Sequence, residues 1–214
     1  LAGAMETPDT DLAIGGYLER WEDTERLATG HQRRYSASEI ARSYLTSGCV
    51  YAMPYIATTV NAKLFRLDII REHRISFDER FVIGNDAVFM CEYLKHVSSV
   101  YDVLTAVYIY YKFDPAERVQ GMGWYYPDTF FLFAYIADRM IKLIHPDEAE
   151  YRQLITKQYK DLLYALVNAT VNKERFNNGI LPYLDALCSE TDLLQDAAKL
   201  DLAENYIRKE DGAL

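Results

Sequence analysis

Residues 77 to 89 read Phe77-Asp78-Glu79-Arg80-Phe81-Val82-Ile83-Gly84-Asn85-Asp86-Ala87-Val88-Phe89, and the change of character at Gly84 decides the fold. Two short apolar pieces flank a Gly-Asn-Asp step. Gly84 permits a sharp backbone turn, and Asn85 is a good N-cap residue. Ala87, Cys91 and Leu94 then fall on one helical face, with Val88 beside them. An extended segment therefore hands over to a helix, and Asp86 lands in its first turn, where the amide dipoles favour a charged carboxylate. Taken alone, an aspartate there is ordinary capping chemistry.

Upstream, Ile75 and Phe77 alternate with polar residues, as in a short extended segment, while Leu64, Leu67 and Ile70 lie at helical spacing and predict a short helix ending near His73. Cys49 to Val60 is apolar and β-branched but broken by Pro54, which suits a buried loop with extended pieces. Ser36 with Glu39 forms a capping box, and Tyr35 with Ile40 a hydrophobic staple, so a helix is expected from about Ala37 to Thr46, stopped by Gly48. Before it, Asp11 to Tyr17 (DLAIGGY) reads as a short strand closed by glycines, and the charged stretch Glu19 to Arg34 as a hairpin or surface loop.

Downstream, Val97 to Asp102 and Val107 to Lys112 read as two strands rich in valine and tyrosine, joined by a short connection. Asp114-Pro115 breaks that pattern. Pro127-Asp128 starts a helix running to about Ile144, and Pro146-Asp147 a second reaching towards Asn172. In the second, Leu154, Ile155, Leu162, Leu166 and Ala169 form a stripe, with Lys157, Lys160 and Asp161 facing outward. Asn177-Asn178-Gly179 is a turn, and short amphipathic helices follow to about Lys209. The expected organisation is an α/β region over residues 1–113 and an α-helical region over 114–214, helix-rich overall.

Composition narrows the function classes. The chain has 214 residues, 50% of them apolar, enough for a substantial core in one domain or one and a half. Its 23 basic and 32 acidic residues give a formal charge of −9, which argues against a nucleic-acid partner. Cys49, Cys91 and Cys188 stand far apart among apolar neighbours, as reduced thiols of a cytoplasmic protein do. Neither they nor His31, His73, His96 and His145 have the spacing of a metal site. The apolar run Phe130 to Ala137 is too short to span a bilayer, and no secretory leader is visible. The expected location is the cytoplasm, with the cytoplasmic face of the membrane as an option.

Five elements in order then carry a resemblance: Asn61-Ala62-Lys63-Leu64-Phe65-Arg66; Phe77-Asp78-Glu79; Gly84-Asn85-Asp86 with Phe89 and Tyr93; Tyr108-x-Tyr110; and the earlier DLAIGGY strand. Together they resemble the second half of family-2 glycosyltransferases of the GT-A fold, over roughly residues 9 to 113. The resemblance implies a partial, Rossmann-like GT-A domain followed by the helical extension. It also implies transfer of a sugar from a nucleotide-sugar donor to an acceptor hydroxyl with inversion, Asp86 matching the general base. Such a base must be ionised and within hydrogen-bond reach of the hydroxyl. Asn85 stands where the family usually has Glu. Asp78 and Glu79 match a loop-shaping pair, with Glu79 also a candidate acceptor contact, and Lys63 could face an anionic group or simply the solvent. Trp124, in the glycine-flanked run Gly121 to Tyr126, is a candidate for stacking on a sugar, and equally for seating the following helix.

The family also carries an upstream nucleotide-binding region whose Asp-x-Asp motif holds a divalent cation, Mn or Mg, against the donor diphosphate. Asp9-Thr10-Asp11 has the spelling but abuts the DLAIGGY strand, too late for the motif. The chain is therefore expected to be the acceptor-side, C-terminal part, binding no metal and no nucleotide-sugar donor by itself, with a homo-oligomer possible through its C-terminal helices. Two other classes fit parts of the sequence. One is a non-catalytic helical interaction module whose 18 Tyr, 9 Phe and 2 Trp fill its core. The other is a hydrolase built on Glu79 and Asp86.

Overall fold

The computed structural model describes residues 1–7, 9–20, 24–28, 32–46, 57–81, 84–111, 127–171 and 184–199. Expectations resting on Gly48, Cys49, Pro54, Lys112, Trp124 and the Asn177-Gly179 turn lie outside them. The described chain is a mixed α/β structure. Its strands are β1 (Leu12–Arg20), β2 (Glu25–Ala28), β3 (Arg33–Tyr35), β4 (Lys63–Phe65) and β5 (Val100–Tyr111). Its helices are α1 (Ala2–Met5), α2 (Ala37–Thr46), α3 (Leu67–Glu72), α4 (Asn85–Leu94), α5 (Pro127–Ile144), α6 (Glu148–Val171), α7 (Leu184–Ser189) and α8 (Asp192–Lys199).

The sheet is built on β1, the DLAIGGY strand. On one side β1 runs parallel to β5, from Leu12 opposite Val100 to Arg20 opposite Tyr111. Its other edge is shared by two antiparallel strands, β4 against Leu12, Ala13 and Ile14 and β2 against Tyr17 to Arg20. The charged stretch thus does form a hairpin. Strand β3 pairs antiparallel with the start of β5, Tyr35 opposite Val100 and Arg33 opposite Asp102. Beyond Asp102 that edge of β5 has no partner strand among the described residues.

Two expectations are corrected here. The valine- and tyrosine-rich region is one strand, β5, rather than two strands with a connection. Nothing between Asp102 and Val107 is a turn residue, and the chain bulges where a reversal was expected, since its register against β1 shifts on either side of Gly16. The bulge uses the space Gly15 leaves, where a Cβ would stand 2.4 Å from Val107 Cγ2. Leu64 belongs to β4, not to a helix, and α3 starts only at Leu67 before ending at His73, its C-cap.

The local signals of α2 hold atom by atom. The Ser36 amide donates to Glu39 Oε2 at 2.8 Å and the Glu39 amide to Ser36 Oγ at 3.1 Å, while Tyr35 and Ile40 are buried together. The Ser36 amide, and the Ser36 hydroxyl at 3.1 Å from Glu39 Oε2, hold the Glu39 carboxyl below its ordinary range. At the other end, Leu45 O accepts from Gln158 Nε2 and Lys157 Nζ, each at 2.9 Å. A carbonyl that helix geometry leaves unpaired is thereby satisfied by α6, and the half-exposed Lys157 amine, which also pairs with Asp161 at 2.9 Å, reaches across to it.

Helix α4 is buried almost all round: Ala87, Val88, Phe89, Met90, Cys91, Tyr93 and Leu94 are core residues, more than one amphipathic face would supply. The reason is α5, which covers it with Leu132, Tyr135 and Ile136. One hydrophobic cluster runs from Leu12 in β1 to Leu193 in α8. Among the described residues no helix is long and apolar enough to cross a membrane.

Candidate functional site

Three of the five resembling strings meet physically in an aromatic stack under α4, while Tyr108 and Tyr110 lie exposed on β5. Phe65 from β4 packs edge-on to Phe89 (5.5 Å between centroids) and Tyr93 (4.9 Å), and Phe77 stacks on Phe89 at 4.7 Å. The Tyr93 hydroxyl accepts from the Arg66 amide and donates to Asp11 O, both at 2.8 Å. Arg66 then donates to Thr10 O at 2.9 Å and Met5 O at 3.2 Å. Strands β1 and β4 and helix α4 are thus locked in one relation, which fixes where α4 begins.

It begins at Gly84. That residue is the N-cap, at φ 78°, and its carbonyl accepts from the Ala87 amide at 2.9 Å. Asn85, expected to cap, is already helical. The left-handed turn that only glycine makes cheaply falls one residue earlier than the cap-forming side chain. Gly84 is also pinned from outside, since a Cβ there would meet Leu132 Cδ2 at 2.4 Å.

Asp86 sits in the first turn as expected and is half-buried. Among the described residues its carboxylate accepts one hydrogen bond, a long one of 3.4 Å from the Val60 amide. Lys63 lies close by and is half-buried. On β4 it stands opposite Ile14, which stands opposite Asp102 on β5, so Lys63 and Asp102 occupy one row across three strands. The Lys63 amine contacts Thr59 Oγ1 and Asn61 O, each at 3.3 Å. Burial pushes its ammonium down to about 7, while the charges of Asp86 and Asp102 pull the other way. Asp102, fully buried, was not recognised as a site residue from sequence. Its signal was a lone carboxylate inside a strand otherwise apolar or aromatic, Val100 to Tyr111.

Glu79 is placed elsewhere. It is exposed at a cleft of about 540 Å³ between the loop after α3 and helices α4 and α5, whose described lining includes Arg80, Glu92, Tyr135 and Arg139 but not Asp86. Asp78 shapes the loop, accepting from the Arg80 amide at 3.0 Å and its guanidinium at 2.7 Å, and these bonds hold its carboxyl below the ordinary range. Arg80 also spans to Glu190 at 2.9 Å, and Arg139 lies 3.4 Å over the Tyr135 ring. His73 and His96 stack in the same cleft at 3.6 Å, and burial with the neighbouring cationic groups depresses His96.

The divalent cation implied by the resemblance does not fit the residues present. Asp11 Oδ2 is taken by the Ser98 amide (2.8 Å), the Ser98 hydroxyl (2.9 Å) and the Ser99 amide (3.1 Å), so Asp9-Thr10-Asp11 ties β1 to the turn before β5. Among the described residues no group of His, Cys, Asp and Glu is disposed to hold a metal ion.

No protein-family model matches the chain, and no curated protein matches it.

Proposed function

We propose that this chain supplies the acceptor side of a GT-A glycosyltransferase, with Asp86 as the general base. The observation that carries it is the state of Asp86: a carboxylate at the start of a buried helix, held among the described residues by one long hydrogen bond and so left with acceptor capacity towards them. An acceptor hydroxyl donates to that capacity. As its oxygen bonds to the anomeric carbon and the carbon–phosphate oxygen bond breaks, Asp86 takes the proton and the nucleoside diphosphate leaves, inverting the centre. A base so positioned contributes about 10² to 10⁴ in rate.

Two further features support this reading over a hydrolase or a purely structural module. Glu79, the carboxylate a hydrolase would pair with Asp86, lines a cleft whose described lining excludes Asp86. The sheet has an open edge at β5 beyond Asp102 among the described residues, with Leu104, Val107, Ile109 and Tyr111 exposed along it, where further sheet can dock. This division of labour assigns the donor diphosphate and its cation to polypeptide other than these elements. Lys63 and Asn85 serve the Asp86 locality, and Glu79 remains an acceptor contact at longer range.

Isothermal titration of residues 1–214 with UDP-sugars and manganese tests the division. No heat is expected. Tight donor binding would overturn the assignment of this chain to the acceptor side.

A further inference from the structure

Resting on Asp86 as the base, we infer that Lys63 is a positioning residue for Asp86, bracing the segment that holds the carboxylate and sharing its charge between Asp86 and Asp102. Three contacts define the device. The Val60 amide is the donor to Asp86. Thr59 and Asn61 flank Val60, and both are held by the Lys63 amine, at 3.3 Å each. Lys63 is itself fixed by β4, opposite Ile14, with the Gly15 amide donating to Ala62 O at 2.7 Å just before it. The amine therefore connects β1, the 59–61 segment and the first turn of α4.

The charges facing this amine come from every neighbouring element. Asp86 belongs to α4 and Asp102 to β5. Arg33 of β3, opposite Asp102 in register, has its guanidinium 4.1 Å over the Tyr35 ring and 3.3 Å from Glu39. The Tyr35 phenol feels Asp102 as well. Among the described residues, Lys63 is a cation on which both carboxylates act, and burial keeps it near the point of losing its proton at about 7. Below that point the ammonium stands beside the carboxylate that must take the hydroxyl proton. Above it, the neutral amine still donates to Thr59 and Asn61 while Asp86 is released from the opposing charge. Transfer should accordingly rise through about pH 7.

The test has one arm that needs no catalysis. With carbon-13-labelled lysine, the Lys63 Cε resonance of residues 1–214 is expected to titrate near 7. The midpoint should fall in Asp86→Asn and in Asp102→Asn, because each carboxylate stabilises the charged amine. The Val60 amide resonance should move in Lys63→Met. A midpoint near the ordinary lysine value, or one unmoved by Asp86→Asn, overturns the inference. So does an unmoved Val60 amide in Lys63→Met.

The second arm measures transfer in the protein as the cell makes it. Lys63→Met should lower kcat about 10²-fold, the effect of a small misplacement of a reacting group. KM for donor should stay within about twofold and the inflexion near pH 7 should vanish, since this change removes an interaction acting at the chemical step. An unchanged kcat with the inflexion retained overturns it. Full activity in Asp86→Asn removes the general-base reading instead, and the titration arm then decides the Lys63–Asp86 coupling alone.

Discussion

Asp86 and Asp138 are both removed from bulk water and both lie near basic side chains, yet their surroundings differ in kind. Asp138, on α5, is 2% exposed, and its oxygens accept from the Leu193 amide at 3.1 Å, Lys142 at 2.8 Å and Arg139 at 3.1 Å. It caps α8 from another helix and is engaged by these three donors. Asp86 is less buried, holds one hydrogen bond at 3.4 Å and faces an amine that burial pushes towards neutrality. A carboxylate held by three donors from two helices is part of the scaffold. One that is oriented but under-used is available for chemistry.

Removing Asp138 is the most damaging stability change expected. Asp138→Ala leaves the Leu193 amide without its acceptor and takes from Arg139 its nearest carboxylate, although Arg139 keeps Glu190 O at 3.0 Å, and should destabilise the chain by about 3 kcal/mol. The low end of the usual range applies because Lys142 is 48% exposed and can return to water. A urea midpoint near that of the parent would show that the two aspartates do not differ as stated. Gly84→Ala comes next, at about 2 kcal/mol, combining the left-handed penalty with overpacking against Leu132. Crystallographic or amide-shift mapping should show the disturbance spreading into the first turn of α4. A stability equal to the parent would mean that the turn is not pinned by Leu132.

Ser36→Ala, which removes one half of the capping box, should cost about 1 kcal/mol. Asp86→Asn should be smallest, within about 0.5 kcal/mol, since the amide oxygen still accepts from Val60. A loss comparable to Asp138→Ala would make Asp86 a scaffold residue after all. Each of these changes is read by chemical denaturation of the same chain, so the order of effects is itself a result.

The parts legible in the sequence were those decided within a few residues. The Ser36–Glu39 box announced α2 to its terminal residues, and the glycine step placed Asp86 in a first turn, because capping is local chemistry. What pairing over long distances decides was not legible. That Val100 to Tyr111 forms one bulged strand depends on the gap at Gly15, some 90 residues away by number, and no turn signal marks it. Lys63 could be read as a surface cation because its burial comes from a three-strand row with Ile14 and Asp102. Asp102 itself was visible only as an odd residue in a strand. The Gly-Asn step misled by one position, since backbone geometry favoured Gly84 as the cap over the better side chain of Asn85.

The aromatic stack also qualifies the resemblance. Phe65, Phe77, Phe89 and Tyr93 pack with one another, so packing alone accounts for the aromatic positions of three of the strings, and on the proposed reading Asp86 and Lys63 are the positions left for chemistry. The most direct test of that chemistry is turnover of Asp86→Asn in the protein as the cell makes it, measured as nucleoside diphosphate released to an acceptor. A loss of about 10² to 10⁴ in kcat with donor affinity unchanged is the predicted result. Turnover within a few-fold of the parent would contradict Asp86 as the base.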